Sequence, residues 1–488
     1  MVSRAPYLWI CALAASFALG GCGGSTASLP GGLELRPQSG TGSSPIAHVV
    51  VVVQENRSFD NLFALFPGAD GATRGKMKVK VKGKYVDKWA KLTAQPLVQK
   101  SDFQHCHASF LTEYDGGKMD GFNLIHHGVC GAAGKPAGTA LYQYVDESQI
   151  GPYWDIAESY VLADHLFQTQ GSGSFTAHQD LIRGNTAIDT QGSVYTESLI
   201  DNPTGMPWGC DAPAPVRTSL ITTAGQYLDK KGPFPCSNKF PSSGNYQTLR
   251  DTLDAAGLTW KYYSPCFVGY SGCPKSQQCS QCAGALLNAF DVVADVRYGA
   301  EWGTNVSMPE TNIFNDIGSG NLPAVSWVIP EDQNSDHPGD GTVDDGPSWV
   351  ASVVNAIGES KYWKSTAIVV VWDDWGGFYD HEPPYLQDNQ GGLGFRVPML
   401  VVSPYAKIGS GSLGGYISHT QYEFGSILKY IEQNFKLASL GTTDKRATSI
   451  GNVFDYSQQP RTFNPIPSSH SIEFFTSRKP TAQYGDPE

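Results

Sequence analysis

Residues 46–60, IAHVVVVVQENRSFD, decide the fold of this chain. Their five consecutive valines predict a strand that is buried on both faces, which is typical of a parallel sheet. Comparable apolar runs recur as AVSWVI at 324–329, TAIVVVW at 366–372 and VPMLVV at 397–402. Helical patterns occupy 348–357 and 422–434. This mixture of apolar strands and helices predicts an α/β fold with a mostly parallel central sheet and helices on both of its faces.

The composition excludes several classes of protein. The chain has 488 residues, of which 40% are hydrophobic and 16% are charged, so it can bury a large core and is not disordered. Beyond the first 21 residues, no apolar run approaches the length of a membrane span. The formal net charge is −12, from 34 Lys and Arg against 46 Asp and Glu. Because no long basic run is evident, we expect no nucleic-acid partner.

The N-terminus has the pattern of an export signal. Arg4 is followed by an apolar run at 7–19 and by Leu-Gly-Gly-Cys ending at Cys22. This ending resembles the bacterial lipobox, which implies that residues 1–21 are a signal peptide and that Cys22 carries a lipid anchor. Ordinary signal-peptidase cleavage nearby is the alternative. Residues 22–45 are rich in Gly, Ser and Pro and predict a flexible tether, so we expect an exported, lipid-anchored protein of the cell envelope, periplasmic or on the surface.

The remaining chain predicts one large domain at 46–470, followed by a tail at 471–488. Its strand and helix patterns lie mainly before 187 and after 320. The stretch 187–320 contains six of the eight mature cysteines and many Gly, Pro and Ser residues. We therefore interpret 187–320 as a loop-rich, disulfide-containing insertion over the sheet rather than as a separate domain.

The cysteines predict disulfides, because an even number in an exported chain favours pairing. Two local pairs, Cys106 with Cys130 and Cys210 with Cys236, are consistent with the spacing, although eight cysteines allow about 105 connectivities. The other four lie close together: Cys266, Cys273, Cys279 and Cys282. A zinc site is the alternative for this cluster. Its loose first spacing and the oxidising compartment favour disulfides.

Polar residues directly follow two of the apolar runs, at the positions where ligands bind in open α/β sheets. Glu55 and Asn56 come just after the valine run, and Asp373 and Asp374 come just after TAIVVVW. Either segment alone is better explained as the start of a turn. Together they offer the oxygen atoms that hard or borderline divalent cations prefer, so the two segments predict a metal site.

A candidate nucleophile lies in the segment QGSGSFTAHQ at 170–179. The small residues before Ser174 suit a hydroxyl nucleophile in a tight turn, but on spacing alone a polar loop residue is the better interpretation. No G-x-S-x-G elbow occurs, which argues against the acyl chemistry of α/β-hydrolases. His105 and His337 are candidates for a general acid, although a single histidine is more often structural.

Seven segments together resemble the bacterial phosphoesterase family, which contains phospholipases C and acid phosphatases and is related to the alkaline phosphatase superfamily. The most specific is HVVVVVQENRSFDNLF at 48–63. The others follow in the family's order: GGKMDGF at 116–122, ADHLF at 163–167, LPAVSWVIPEDQNSDHP at 322–338, WDDWGGFYDHEPP at 372–384, GFRVPMLVVSPYAK at 394–407 and SHTQYEFGSILKYIE at 418–432. The resemblance spans about 46–435 and implies an alkaline phosphatase-like fold.

The resemblance also implies the site. One divalent metal ion would be held by Glu55, Asn56, Asp373 and Asp374, and it would be approached by Ser174. The ligand types leave its identity open among calcium, magnesium, manganese and zinc. By the same resemblance, Ser174 is the nucleophile that forms a covalent phosphoenzyme. The catalytic histidines, His105 and His337, would contact the transferred phosphoryl group.

The surroundings of Ser174 bear on the substrate. Phospholipase-type members carry Thr in Gly-Pro-Thr-x-Pro-Asn, whereas this chain is closer to the Ser-Phe-x-x-His-Gln of the acid phosphatases. Ala177 departs from the Asn expected there, and no histidine occurs between His178 and His337, where some acid phosphatases supply one. We therefore expect an acid phosphatase-like phosphomonoesterase acting on a phosphate ester, with a phospholipase C cleaving phospholipid headgroups as the alternative. A catalytically inactive surface lipoprotein that binds partners is the alternative of another class.

Overall fold

The computed structural model describes residues 44–100, 102–128, 130, 134–188, 198–203, 208–222, 225–236, 246–265, 288–339, 345–387, 392–410 and 414–478. The strands are β1 (His48–Gln54), β2 (Arg74–Val81), β3 (Lys84–Lys91), β4 (Thr93–Gln95), β5 (Gln143–Val145), β6 (Val161–Ala163), β7 (Leu166–Thr169), β8 (Ala187–Ile188), β9 (Ser198–Pro203), β10 (Thr218–Thr222), β11 (Tyr227–Leu228), β12 (Trp260–Tyr263), β13 (Val306–Ser307), β14 (Val325–Val328), β15 (Thr366–Trp372), β16 (Leu393–Arg396), β17 (Met399–Val402), β18 (Tyr416–Ser418) and β19 (Tyr422–Glu423). The helices are α1 (Phe59–Phe63), α2 (His107–Tyr114), α3 (Gly151–Ser159), α4 (Ser174–Arg183), α5 (Leu249–Ala255), α6 (Ala294–Arg297), α7 (Glu301–Thr304), α8 (Asn312–Ser319), α9 (Gly346–Gly358), α10 (Phe424–Phe435) and α11 (Ile472–Ser477).

The valine run forms an inner strand of a large sheet, as predicted. The strand order is β13-β12-β14-β1-β15-β17-β6-β18, and β1 pairs in parallel with both β14 and β15. Every residue of β1 and of β15 is buried. β-Branched side chains suit such a strand because they pack well on both pleated faces. The predicted mixed α/β fold with a mostly parallel central sheet is confirmed.

One predicted strand runs in the opposite direction to its neighbours. VPMLVV forms β17, which is antiparallel to both β15 and β6. The chain leaves the central sheet at the C-terminal end of β15 and forms β16 in a separate small sheet. It then enters β17 at that same end of the central sheet. Since the chain does not cross back over the sheet before β17, the strand must run antiparallel. Apolar composition predicted the burial of this strand but not its direction.

The stretch 187–320 contains both additional structure and part of the central sheet. Strands β8 to β11 form a second, antiparallel sheet, which fits an insertion. Strands β12 and β13, however, pair in parallel at the edge of the central sheet beside β14. This stretch therefore contributes two strands to the central sheet and also forms a separate antiparallel sheet.

Both expected local disulfides are present, Cys106–Cys130 and Cys210–Cys236. The other predicted features of the ends and of the cysteine cluster lie outside the described residues: the signal peptide, Cys22, nearly all of the tether, most of the tail, and Cys266, Cys273, Cys279 and Cys282.

The helices pack in pairs along the sheet. α3 packs on α9, and α4 packs on α10. The indole of Trp327 in β14 donates to the backbone oxygen of Leu181, which ties α4 to the central sheet. Among the described residues, no helix is both long enough and apolar enough to cross a membrane.

A buried arginine joins distant parts of the fold near the end of β16. Arg396 donates from Nε to Asp380 Oδ1 at 2.8 Å and from Nη2 to Asp60 Oδ1 at 3.4 Å. Its Nη1 donates to the backbone oxygens of Asp70 and Asp164 at 2.9 and 2.8 Å. Arg396, Asp60 and Asp380 are all fully buried. The guanidinium thus offsets two carboxylates that water cannot reach.

We predict that Arg396→Met lowers the free energy of unfolding by about 3–5 kcal/mol at neutral pH, because it removes the guanidinium from the buried Asp60 and Asp380 and leaves His381, which binds Asp60, as the cation beside them. Urea unfolding followed by circular dichroism measures the change. Arg217→Met, at an exposed arginine, is the control and should shift stability by less than about 0.5 kcal/mol. Equal stability of the two variants would contradict the structural role of Arg396.

Candidate active site

The two predicted metal-binding segments leave the sheet side by side. β1 and β15 are parallel neighbours in a register that pairs Gln54 with Trp372, so the residues that follow emerge at one edge. The backbone N–H of Asp373 donates to the Gln54 oxygen at 2.9 Å. The Asp373 side chain in turn accepts from the backbone N–H groups of Asn56, at 3.0 Å, and Asp374, at 2.7 Å. These contacts bring the two segments together.

The backbone is strained where the segments meet. Asn56 has a φ of 54°, in the left-handed region that few side chains adopt. Gly376 has a φ of 59°, and a Cβ there would lie 2.3 Å from the Asn56 oxygen, so only glycine fits. Its N–H donates to Asp374 Oδ1 at 2.7 Å. Strain of this kind at a candidate site is typical of positions that function requires.

Ser174 reaches the same edge from a different part of the chain. Its Oγ lies 3.1 Å from Asn56 Oδ1 and 3.1 Å from Asp374 Oδ2. It is the first residue of α4 and not part of a loop or tight turn. Gly173 precedes it in an extended conformation as the N-cap. The hydroxyl therefore lies at the positive end of the helix dipole, which favours a bound anion.

Oxygen atoms crowd together around the Asn56 amide. Glu55 Oε2, Asp373 Oδ1 and Ser174 Oγ lie 3.2, 3.1 and 3.1 Å from its Oδ1. Neighbouring ligand oxygens around a divalent cation with bonds of about 2.1 Å are themselves about 3 Å apart. Without a cation, the amide would instead turn its nitrogen toward these oxygens. The spacing therefore fits a cation held among them.

Asp373 and Glu55 are buried close together, and a positive charge between them would stabilise their ionised forms. Asp373 Oδ2 is buried and accepts no hydrogen bond. Burial and, next, the negative charge of Glu55 raise the pKa of Asp373 to about 8. An ionised carboxylate in this position needs a cation to be stable. Carboxylate, amide and hydroxyl oxygens fit a hard or borderline divalent ion.

The two predicted histidines flank the same amide. His105 Nε2 lies 3.1 Å and His337 Nε2 lies 2.9 Å from the side-chain nitrogen of Asn56. Their Nδ1 atoms lie 2.6 Å from the Phe103 oxygen and 2.9 Å from the Pro338 oxygen. Nδ1 therefore carries a proton in each ring, and Nε2 faces the site. His105 is buried and His337 is partly exposed, so His337 marks the accessible side.

A third histidine, His178, belongs to the site and was missed as a site residue in the sequence. Its Nε2 lies 2.9 Å from Glu55 Oε1 and 3.7 Å from Asp373 Oδ2. It follows Ser174 by four residues on α4, so the two side chains share one face of the helix. That spacing was the available signal. His178 orients Glu55 by a hydrogen bond and lies within ion-pair distance of Asp373, and these three residues form a further group that could hold a metal ion.

The structure thus brings together seven of the predicted residues: Glu55, Asn56, His105, Ser174, His337, Asp373 and Asp374. Glu113 is a further buried group beside them. It accepts from the indole of Trp375 at 2.8 Å, and burial raises its pKa well above the ordinary value.

Comparisons with known proteins agree on a family. The model of the phosphoesterase family matches residues 46–438. The non-hemolytic phospholipase C of Burkholderia pseudomallei is 24% identical over 80% of this chain and 55% of its own length. Phospholipase C B of Mycobacterium tuberculosis is 27% identical over 45% of each chain. Phospholipase C A of the same species is 24% identical over 86% of this chain and 79% of its own.

The chain spans about half the length of the first two of these relatives. Among solved structures, a protein in the alkaline phosphatase superfamily from Vibrio parahaemolyticus matches 74% of this chain and 69% of its own. Its sequence identity is 11% and its TM-score is 0.32. The family model covers most of the domain that carries the site, and on this basis the chain belongs to the phosphoesterase family.

Proposed function

We propose that this protein is a metal-dependent phosphoric-ester hydrolase in which Ser174 forms a covalent phosphoserine. The observation that carries the proposal is the position of the Ser174 hydroxyl, 3.1 Å from both Asn56 Oδ1 and Asp374 Oδ2, beside the buried Asp373, whose Oδ2 accepts no hydrogen bond. Family membership supports phosphoric-ester chemistry. Phosphoryl transfer depends mainly on positioned charge and an in-line nucleophile, and in this proposal the bound cation and Ser174 supply them.

The metal-binding residues, Ser174 and the start of α4 each have a distinct role in the proposed reaction. A divalent cation held by Glu55, Asn56, Asp373 and Asp374 would lower the pKa of the Ser174 hydroxyl and offset phosphate charge. Ser174 Oγ bonds to phosphorus as its proton passes to Asp374 Oδ2, a carboxylate oxygen 3.1 Å away. The start of α4 stabilises the anionic phosphoryl group.

The histidines serve the leaving side of the reaction. His105 and His337, whose Nε2 atoms face the Asn56 amide, would contact the phosphoryl group through Nε2. His337, on the accessible side, protonates the leaving oxygen as its bond to phosphorus breaks. In the second step His337 accepts a proton from the attacking water, the bond between phosphorus and Ser174 Oγ breaks, and Asp374 returns its proton to Oγ. A protonated histidine in the first step is consistent with an acidic pH optimum. His178 is a positioning residue that holds Glu55 by a hydrogen bond and places its ring 3.7 Å from Asp373 Oδ2.

The favoured substrate is a phosphomonoester. Ser174 and His178 are the Ser and His of the Ser-Phe-x-x-His-Gln pattern, and the contact of His178 with Glu55 gives that spacing a physical role. A phospholipase C activity is the second candidate, because the similar proteins carry that name. Every proposed role is held by a chemically competent residue, which argues against an inactive binding protein.

We also propose that the protein is exported and attached to the membrane through a lipid on Cys22. The support is the charged and apolar N-terminal pattern ending in Leu-Gly-Gly-Cys. The Gly-, Ser- and Pro-rich residues that follow would let the phosphoesterase domain reach away from the anchor.

Ser174→Ala should reduce hydrolysis at least about 10³-fold, because it removes the hydroxyl that lies 3.1 Å from Asp374 Oδ2. Acid quenching with a ³²P-labelled ester should trap phosphoprotein in the wild type and none in the variant. Ser352→Ala, at a buried serine on α9, is the control and should keep full activity. Full hydrolysis by Ser174→Ala would remove Ser174 as the nucleophile.

Elemental analysis of the purified protein should find one divalent metal per chain, and chelation should abolish hydrolysis until metal is restored. Asp373→Asn should lower both metal content and activity, whereas Asp295→Asn, at an exposed position, should change neither.

Assays on p-nitrophenyl phosphate and on phosphatidylcholine decide the substrate. Release of diacylglycerol without monoester turnover would favour phospholipase C, and metal-loaded protein that hydrolyses neither substrate would favour the binding protein.

Cys22→Ser should move the protein from the membrane fraction to the soluble fraction of cells, because serine cannot accept the lipid. Metabolic labelling with a radioactive fatty acid checks the modification directly. Cys11→Ser, inside the apolar signal, is the control and should leave the label in place. Unchanged labelling of Cys22→Ser would exclude an anchor at this cysteine.

A further inference from the structure

A strongly basic hairpin projects from an otherwise acidic chain. β2 and β3 pair over their whole length, from Arg74 with Lys91 to Val81 with Lys84. Lys82 and Gly83 link them with φ values of 49° and 81°, as in a two-residue type I′ turn. Residues 74–91, here called the basic hairpin, contain eight Lys or Arg and one Asp, a net charge of +7 in a chain of −12.

The sequence shows no long basic run, and we therefore expected no basic strip on the surface. The hairpin shows that this expectation was wrong. Its lysines alternate with Met and Val, so no continuous basic run is present in the sequence. Because alternate residues of a strand point to one side, folding gathers them: Arg74, Lys76, Lys78 and Lys80 share one face of β2. The charged strip therefore arises from the two-residue repeat of a β-strand, which places alternate side chains on the same face.

Aromatic side chains stand among the basic ones. Trp89 lies opposite Lys76 and Tyr85 lies opposite Lys80 on the neighbouring strand. Trp89 is 57% exposed and Tyr85 is 58% exposed, which is unusual for such large side chains. The Arg74 guanidinium stacks 4.7 Å from the centre of the Trp89 ring. Valines are also exposed toward the tip, Val81 at 41% and Val86 at 40%.

The base of the hairpin is held firmly by the domain. Ala90 is buried, and a Cβ on Gly75 would lie 2.4 Å from the Tyr379 ring, so the two strands pack closely there. The Tyr142 hydroxyl donates to the Lys76 oxygen at 2.6 Å. Tyr379 belongs to the loop that begins at Asp373 and Asp374. The hairpin is therefore a supported projection attached to the loop of the candidate site.

We propose that the basic hairpin docks this protein on an anionic phospholipid surface. Lysines near such a surface are attracted by its negative potential, and Trp and Tyr prefer the boundary between headgroups and hydrocarbon. The exposed valines at the tip favour a membrane over a nucleic acid, because they gain nothing from phosphates in water and are stabilised by burial in the acyl boundary. Membrane binding by the hairpin does not require hydrolysis of an ester. This proposal is therefore independent of the proposed enzymatic function.

The test uses the full chain carrying Cys22→Ser, so that no lipid anchor contributes. Cosedimentation with equimolar phosphatidylcholine–phosphatidylglycerol vesicles should show binding that weakens as salt is raised. Vesicles of phosphatidylcholine alone should bind much less. Replacing three exposed lysines near the tip by glutamate, Lys80→Glu, Lys82→Glu and Lys84→Glu, should lower the partition coefficient at least about 100-fold.

The control carries the same change of charge outside the hairpin, as Lys230→Glu, Lys231→Glu and Lys364→Glu, all at exposed positions. It should bind the anionic vesicles within about threefold of the parent. Both triple variants should hydrolyse a soluble ester and unfold in urea as the parent does. Equal vesicle binding by the two triple variants would overturn the proposal, as would binding of single-stranded DNA without binding of anionic vesicles.

Trp89 provides a second measurement that does not depend on the charge variants. Brominated phosphatidylglycerol quenches tryptophans at the acyl boundary, so vesicle binding should quench part of the fluorescence of the parent. Trp89→Phe should lose most of that quenching while it still binds. If Trp89→Phe is quenched to the same extent as the parent, the hairpin is not the part that contacts the lipid.

Discussion

The structure depends on placing acidic side chains at the ends of two buried parallel strands without water to solvate them. Glu55 and Asp373 lie close enough for the charge of one to raise the pKa of the other. Hydrogen bonds from the backbone N–H groups of Asn56 and Asp374 and the nearby ring of His178 offset part of this repulsion. The remaining negative charge is what makes the edge of the sheet fit a divalent cation.

The surrounding structure is arranged to hold this unfavourable grouping. Asn56 is kept in a left-handed conformation, and Gly376 allows its backbone to be approached closely. α4 brings both Ser174 and His178 to the same edge from one helix face. Strain and like charge at one place are tolerated because the large apolar core around β1 and β15 stabilises the fold as a whole.

Two surfaces of the molecule share one loop. The segment that follows β15 supplies Asp373 and Asp374 and then Tyr379, against which the basic hairpin packs. Asp380, further along the same segment, is bound by Arg396. The loop thus links the site, the base of the hairpin and a buried ion pair, and residues 373–380 are all buried.

The sequence by itself determined which segments are buried and named most of the residues that meet at the candidate site. β-Branched runs are stable only where both faces are covered, and polar residues directly after such runs must lie at the sheet edge. The resemblance supplied the grouping of Ser174 with Asp373 and Asp374. Tertiary structure alone decided that β1 and β15 are neighbours, that β17 is antiparallel, that His178 contacts Glu55 and that alternating lysines form one strip. Backbone hydrogen bonds between strands are the same for every residue, so local pattern specifies a strand but not its partner or its direction.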